Sequence, residues 1–145
     1  MDWKLELVPV PVTDVDRAKK FYTDKIGFVV DHDTRVSDEM RIVQLTPPGS
    51  ACSIPLGTGI VNTAPGSVQG VQLVVSDIEA ARAELVERGV EVSEVQHFDG
   101  AVMVDGPGED WNSFAFFSDP DGNSWVLQES PRASAKSPGT GDLPR

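Results

Sequence analysis

The stretch Phe114-Ala-Phe-Phe-Ser-Asp-Pro-Asp-Gly-Asn-Ser-Trp-Val-Leu-Gln-Glu129 decides the fold. Two apolar runs flank a polar centre, in which proline presets φ while glycine and asparagine tolerate the left-handed conformation. The pattern therefore predicts a strand, a tight turn and a second strand. A cruder copy occurs earlier, as Gln44-Leu-Thr-Pro-Pro-Gly-Ser-Ala-Cys-Ser-Ile54. The chain is accordingly predicted to be a duplication.

In the first half, the hairpin is preceded by a short strand and a helix. Val8, Val10 and Val12 share one face of a run that contains two prolines, which predicts an edge strand because proline cannot donate to a ladder. A cap at Thr13-Asp14-Val15-Asp16 opens a helix that Gly27 ends. A strand then resumes over residues 28–31 and gives way to a polar loop, expected over residues 32–38.

The second half restarts the same pattern. Val71–Val75 predicts a strand, and Ser76-Asp77-Ile78-Glu79 has the spacing of a capping box that opens a helix to about Arg88. Val90–Val95 alternates as a strand does. The glycine-containing segment 97–112 is expected to be a loop that leads into the hairpin.

These elements predict an α+β fold built from two tandem βαβββ modules. Paired modules would form a curved eight-stranded mixed sheet, with a cleft inside and the helices outside. We expect a single domain over 1–129, with module 1 at about 4–57, a linker at 58–69 and module 2 at about 70–129. Residues 130–145 are too polar and proline-rich to pack and are predicted to be a disordered tail.

Composition limits the function. The net charge of −11, without a lysine-rich run, argues against nucleic acid as a partner, although it suits a cationic ligand. No segment has the length of apolar residues that a membrane span needs, and the N-terminus lacks the pattern of a signal peptide, so a cytoplasmic location is predicted. One cysteine and two histidines exclude a cysteine-rich or three-histidine metal site within one chain.

Three segments resemble the vicinal oxygen chelate superfamily, which includes glyoxalase I, extradiol dioxygenases, fosfomycin-modifying transferases and bleomycin-binding proteins. They are Pro11-Val-Thr-Asp-Val-Asp-Arg-Ala-Lys-Lys-Phe-Tyr22 with Gly27-Phe28, Val74-Val-Ser-Asp-Ile-Glu-Ala-Ala-Arg-Ala-Glu-Leu85, and Asp119-Pro-Asp-Gly-Asn123. The resemblance spans roughly residues 5–129. It implies the two-module fold with an internal pocket, and it implies a homodimer because relatives often pair.

The resemblance also implies where metal ligands would stand. In metal-using relatives, ligands come from the first strand of each module and from the strand after each hairpin. Those positions are Leu7, Ser53, Gly70 and Val126 here, and none is a His, Glu or Asp. Divalent ions need nitrogen or oxygen donors that converge, so neither a metal nor another cofactor is expected.

The remaining candidate residues surround the same predicted cleft. His97 is the only candidate for acid–base catalysis, because it opens the long loop and an imidazole can act as an acid or a base near neutral pH. The loop also carries Met103 and Trp111, which could close over a ligand. Gln72 and Gln128 are expected to face the cleft and orient a ligand by hydrogen bonds.

Two functions follow from these residues. The first is a metal-independent protein that binds or sequesters a drug or natural product. The alternative is a lyase, isomerase or dioxygenase-type enzyme that acts on a small molecule in the same cleft, with or without a metal held at atypical positions and with His97 as its candidate catalytic residue. The sequence leaves open whether any reaction is catalysed.

Overall fold

The computed structural model describes residues 1–131, and the predicted tail beyond them lies outside the described residues. The elements are β1 (Val10–Pro11), α1 (Val15–Lys20), a π-helical segment (Phe21–Ile26), β2 (Val29–Ser37), β3 (Met40–Thr46), β4 (Ile54–Thr58), β5 (Val71–Val75), α2 (Ile78–Glu87), β6 (Gln96–Asp99), β7 (Val102–Asp105), β8 (Phe114–Ser118) and β9 (Ser124–Glu129). The α+β class with two modules is confirmed. The described residues hold nine strands in a four-stranded and a five-stranded sheet, where eight strands in one sheet were expected.

The chain divides into two compact units. The first unit comprises Met1–Gly70 with the turn Ser118–Ser124, and the second comprises Val71–Phe117 with the residues from Trp125 on. The first unit's sheet has the order β1-β4-β3-β2, so β1 is an edge strand as predicted. It is short because its prolines remove donors: beyond Val10–Pro11, only the isolated bridge between Leu7 and Ser53 continues it.

The helix of the first unit begins where predicted and changes geometry halfway. Asp14 caps α1 by accepting a hydrogen bond from the backbone N–H of Arg17 at 3.0 Å. From Phe21 the helix widens into the π-helical segment, which ends at Gly27 in the left-handed region (φ 90°). The widening matters because π-helical turns often occur where a side chain must be placed for a specific contact. Tyr22, which lies in this segment, is completely buried.

The predicted polar loop over residues 32–38 is wrong, because β2 continues as a strand to Ser37. Polarity is no obstacle on an edge strand, since one face and one edge stay in water. The pairing is reinforced across the ladder, where the Arg41 guanidinium donates to both carboxylate oxygens of Asp33 at 3.0 and 2.8 Å. Arg41 also donates to Asp16 of α1 at 2.8 Å, so this ion cluster ties the helix to the sheet.

The Asp33 ion cluster predicts how stability depends on pH. Arg41 and then Lys19 hold the pKa of Asp33 well below its ordinary range. A lowered folded-state pKa stabilises the protein above the ordinary aspartate pKa of about 3.9, and this contribution is lost as the pH falls below it. We expect Asp33→Asn to remove about 1 kcal/mol of this acid-labile stability, allowing for solvent screening. Urea denaturation at several pH values measures it.

Asp99→Asn is the matched control for that comparison, because Asp99 is exposed and lies in the second unit. The free energy of unfolding of this variant should depend on pH as that of the wild-type protein does. Parallel profiles for wild type and Asp33→Asn between neutral pH and about pH 3 would show that the ion cluster contributes nothing.

The second unit's sheet has the order β5-β9-β8-β6-β7 and packs α2 against one face. Its core includes Trp125 and Leu127 from β9 with Ile78 and Leu85 from α2. The helix runs close to its predicted bounds, but its cap is Asp77, which accepts from the backbone N–H of Ala80 at 3.0 Å, and not the predicted Ser76. None of the helices in the described part of the chain is long and apolar enough to cross a membrane.

The strand predicted at Val90–Val95 is absent, although the segment lies beside β8. Ser93 explains the difference. Its backbone N–H donates to Phe116 O at 2.9 Å, but its hydroxyl takes the return bond from the Phe116 N–H, so a side chain replaces the ladder. The Ser93 carbonyl, with which a neighbouring strand would otherwise pair, accepts a hydrogen bond from the Arg82 side chain at 2.7 Å.

The predicted loop over residues 97–112 is likewise only partly a loop. It contains most of a hairpin, because β6 and β7 pair antiparallel around a tight turn at Gly100 (φ 67°). Short strands of mixed polarity do not stand out in the sequence, since their alternation covers too few residues. The remaining irregular part is residues 106–113.

The turn of the deciding hairpin packs within the first unit. Asp119 is buried and accepts a hydrogen bond from the Tyr22 hydroxyl at 2.7 Å and from Asn123 Nδ2 at 2.8 Å. Its other oxygen accepts from the backbone N–H groups of Asp121 and Asn123. Asn123 also donates to the carbonyl of Pro11 at 2.9 Å. The turn is therefore fixed by a buried polar network.

Candidate functional site

The candidate residues predicted from the sequence are divided between the two units. Leu7, Ser53 and Gly70 lie in the first unit, and the other six, Gln72, His97, Met103, Trp111, Val126 and Gln128, lie in the second. Leu7 and Ser53 are neighbours in the isolated bridge. Gly70 is exposed in the left-handed region (φ 77°), and its N–H donates to the Ser124 hydroxyl at 2.8 Å.

The register of the β8–β9 hairpin determines which side chains share a face in the second unit. The Asp119 N–H donates to Asn123 O at one end, and the Glu129 N–H donates to Ser113 O at the other. This register places Phe114 across from Gln128 and Phe116 across from Val126. The stacked rings of Phe117 and Trp125 (centroids 6.2 Å apart) belong to the opposite, core face.

We call the face away from α2 the open face of the second unit. The parallel β5–β9 ladder adds Gln72 beside Val126 and Val74 beside Gln128. The β6–β8 pair Gln96–Phe114 adds Phe98, which shares a face with Gln96. The open face therefore includes Gln72, Val74, Gln96, Phe98, Phe114, Phe116, Val126 and Gln128.

The open face presents apolar surface to solvent. Phe98 is 47% exposed and its ring contacts Phe114 edge to face, with centroids 5.7 Å apart. Val74 is 50% exposed. Met103 lies across from Phe98 in the β6–β7 ladder and so shares its face. Aromatic rings with exposed faces can stack on a planar ligand, and such pairs contribute about 0.5–1.5 kcal/mol beyond burial alone.

A chain of amide hydrogen bonds crosses one side of the open face. Gln72 Nε2 donates to Gln128 Oε1 at 2.5 Å, and Gln128 Nε2 donates to the Trp111 carbonyl at 2.8 Å. Because the Trp111 carbonyl can only accept, the orientation of both amides is determined. Gln72 is exposed and keeps its Oε1 as an acceptor for a ligand.

Trp111 is held in an unusual backbone conformation. Its φ of 64° lies in the left-handed region, which costs a bulky side chain about 1–2 kcal/mol. The segment around it is fixed by Asn112, whose side chain accepts from the Phe98 N–H at 2.8 Å and donates to the Phe98 carbonyl at 2.9 Å. Strain that is retained by such contacts is typical of ligand-binding segments.

His97 does not share the open face. It alternates with Phe98 along β6, so its side chain lies on the opposite side. Its Nδ1–H donates to the carbonyl of Gly106 at 2.7 Å, which orients the ring toward the segment 106–113. The structure thus brings Gln72, Met103, Val126, Gln128 and the Trp111 carbonyl to one region of the second unit and places His97 behind it.

The first unit has a polar cluster that the sequence analysis missed. Thr46 Oγ1 donates to Asp31 Oδ2 at 2.5 Å and lies 2.6 Å from the hydroxyl of Ser53, while Gln44 Nε2 donates to the same Asp31 oxygen at 3.2 Å. The donors Thr46 and Gln44 lower the pKa of Asp31. Only the alternation of Gln44 and Thr46 before the Pro-Pro-Gly turn could have indicated that they share a face with Ser53.

The metal of the related enzymes does not fit the residues present. Of the four positions that the resemblance indicated, Leu7 and Val126 carry alkyl groups, Gly70 has no side chain and Ser53 carries a hydroxyl. A single hydroxyl is no ligand set for a divalent ion. Within residues 1–131, no group of three or more His, Cys, Asp and Glu side chains is arranged to hold one elsewhere.

A two-module α+β fold, with a sheet face that carries aromatic and amide groups in the second unit, suits a protein with a small-molecule site. The chain belongs to the Glyoxalase/Bleomycin resistance protein/Dioxygenase superfamily, whose family model matches residues 4–127. The predicted resemblance is therefore confirmed. No curated protein sequence matches the chain.

Solved structures give closer likenesses. TnmS3, an antibiotic binding protein from Streptomyces sp. CB03234, is 34% identical, with a TM-score of 0.72 over 89% of this chain and 97% of that one. A glyoxalase/bleomycin resistance protein from the same strain is 35% identical (TM-score 0.68, 86% and 99% covered). A superfamily member from Sphaerobacter thermophilus DSM 20745 is 28% identical (TM-score 0.72, 89% and 98% covered). Membership and these neighbours support a small-molecule-binding role.

Proposed function

We propose that the protein binds and sequesters a planar aromatic drug or natural product, without a metal, on the open face of the second unit. The observation that carries the proposal is the exposed aromatic surface of Phe98 and Phe114 beside the oriented amides of Gln72 and Gln128. Planar apolar contact supplies affinity, and a few fixed polar groups supply orientation. The likeness to TnmS3, named as an antibiotic binding protein, favours the same kind of ligand.

The metal-independent part of the proposal rests on donor chemistry. The four family ligand positions lack acidic and imidazole side chains, so binding is expected to rely on stacking and hydrogen bonds. Affinity for any ligand found should be the same before and after dialysis against EDTA. A loss of binding that zinc, manganese or iron restores would refute metal independence, but it would not refute ligand binding.

The ligand is to be found by screening neutral planar natural products by thermal shift and tryptophan quenching. We expect Phe98→Ala to weaken binding of the best compound about tenfold, because the ring supplies stacking area and the contact with Phe114. Isothermal titration calorimetry measures the change.

Val102→Ala is the matched control. Val102 is 62% exposed, but it alternates with Met103 and so lies on the other face of β7. It should leave the affinity unchanged. Equal losses in both variants, or a broad panel without a single ligand, would count against a site on the open face.

No catalytic function is proposed, because His97 lies on the opposite side of β6 from Phe98 and its Nδ1–H is used by Gly106. The homodimer and the cytoplasmic location stay predictions. Light scattering of the full chain measures the first, and a single-chain mass would contradict it.

A further inference from the structure

Asp31 owes its position to a β-bulge. The β2–β3 ladder pairs Val30 with Leu45 and His32 with Gln44, so Asp31 is an extra residue on β2. A bulge turns a side chain away from the regular alternation and is frequent beside binding sites. Here it places the exposed Asp31 carboxylate against Thr46 and Gln44.

The hydroxyl protons of this cluster all point inward. Thr46 has one proton, which it donates to the Asp31 carboxylate, so the hydrogen bond between Thr46 and Ser53 must use the proton of Ser53. Ser53 is then left with oxygen lone pairs only. The cluster therefore offers acceptors: Oδ1 of the exposed Asp31 carboxylate and, with little access to solvent, the oxygen of the buried Ser53.

Asp31 differs from the neighbouring carboxylate in its partners. Asp33 contacts both Lys19 and Arg41, but Asp31 has only uncharged donors and forms no ion pair within residues 1–131. An oriented carboxylate without a cation is complementary to a positively charged donor. The net charge of −11 adds long-range attraction for the same kind of group.

We infer that Asp31, Thr46 and Ser53 form a subsite for a protonated primary or secondary amine of a small molecule. Leu7 supports the assignment, because it is Ser53's bridge partner and is 41% exposed, which gives the carbon chain of such an amine an apolar contact. The inference rests on the proposed function in assuming a small-molecule ligand, but the subsite belongs to the first unit and is tested by itself.

The test uses the full chain labelled with carbon-13 and two probes of the same shape, phenethylammonium chloride and 2-phenylethanol, at constant ionic strength. We expect the Asp31 carboxyl resonance to move saturably with the ammonium compound, which should bind about tenfold more tightly than the alcohol because a charged hydrogen bond is stronger. Asp31→Asn, followed at the Ser53 and Thr46 amide resonances, should abolish this preference. Thr46→Val should reduce it, because the orienting donor is lost while the charge remains.

Asp38→Asn is the control, because it changes the net charge equally and Asp38 is exposed outside the cluster. It should keep the wild-type preference for the amine. No saturable shift at tens of millimolar amine, equal binding of the alcohol, or the same loss in Asp38→Asn as in Asp31→Asn would each overturn the inference. The aromatic open face is tested with neutral compounds, so either proposal can fail without the other.

Discussion

Replacement of Asp119 by alanine is expected to lower the free energy of unfolding by about 4 kcal/mol. The side chain accepts four hydrogen bonds, from Tyr22, from the Asn123 amide and from two backbone N–H groups. Removing it takes the acceptor from three buried hydrogen bonds and one part-buried hydrogen bond, and each buried unsatisfied group costs about 1–3 kcal/mol. Because domains are stable by only about 5–15 kcal/mol, a large fraction of the protein's stability would be lost.

Two milder variants keep the prediction testable if Asp119→Ala does not fold. Tyr22→Phe removes one hydrogen bond and should cost about 1–2 kcal/mol. Asp119→Asn keeps the shape of the side chain, but its amide NH2 would face groups that also donate hydrogen bonds. The loss of unfolding free energy should lie between those of the other two variants. Urea denaturation followed by circular dichroism measures all three.

Asp99→Ala, an exposed aspartate in the second unit, serves as the control and should stay within about 0.5 kcal/mol of wild type. An Asp119→Ala protein as stable as this control would show that the network has no energetic role. Coupling between Tyr22→Phe and Asp119→Asn in a double-mutant cycle would confirm that the two side chains act together.

This network shows what the hairpin sequence could and could not reveal. Proline, glycine and asparagine predicted the turn from local chemistry, and the structure confirms a strand on each side. One partner of Asp119 is Tyr22, which lies far away in sequence on a helix that widens into π geometry. No local pattern contains that contact, because the tertiary structure determines it.

The errors in secondary structure have the same origin. Val90–Val95 has the alternation of a strand, but the hydroxyl of Ser93 and the guanidinium of Arg82 take the backbone groups that a ladder needs. β2 lacks apolar alternation, yet it forms because Arg41 contacts Asp33 across the ladder. Periodicity reports which residues could be buried, whereas these outcomes depend on which hydrogen-bond partner is available.

Part of the candidate site could be predicted from the sequence, because alternation along a strand shows which side chains share a face. Alternation along β9 predicted a shared face for Val126 and Gln128, and in the structure the β5 register places Gln72 beside Val126. The aromatic contribution of Phe114 could have been read from the same alternation along β8. Asp31 could not, because a bulge breaks the alternation on which such an inference depends.

Gly108→Ala is expected to release the segment that carries Trp111. A Cβ built on Gly108 would overlap the Asn112 carbonyl oxygen and press against His97 Cβ at 2.8 Å, so backbone must move. Asn112 would then lose its two hydrogen bonds to Phe98. Overpacking of this kind costs about 1–3 kcal/mol. We expect hydrogen exchange at the Phe98 amide to accelerate about a hundredfold, in line with that cost.

Glu109→Ala is the control from the same segment, because the Glu109 side chain is exposed and only its carbonyl is used, by the Asn112 N–H. Hydrogen exchange at the Phe98 amide should be as slow in Glu109→Ala as in the wild-type protein. Unchanged exchange in Gly108→Ala would mean that the segment absorbs the methyl group without moving.

Measuring ligand affinity in both Phe98→Ala and Gly108→Ala separates two contributions to binding on the open face. One is the area of the aromatic ring, and the other is the ordered backbone around Trp111. Phe98→Ala removes ring area from a face that is otherwise intact, whereas Gly108→Ala keeps every ring and loosens the backbone that holds Trp111 at a φ of 64°. If the strained segment is held ready for a ligand, the glycine variant should lose at least as much affinity as the phenylalanine variant, because binding must then pay the cost of ordering. Affinity retained in Gly108→Ala, with fast exchange at Phe98, would assign recognition to the sheet face alone.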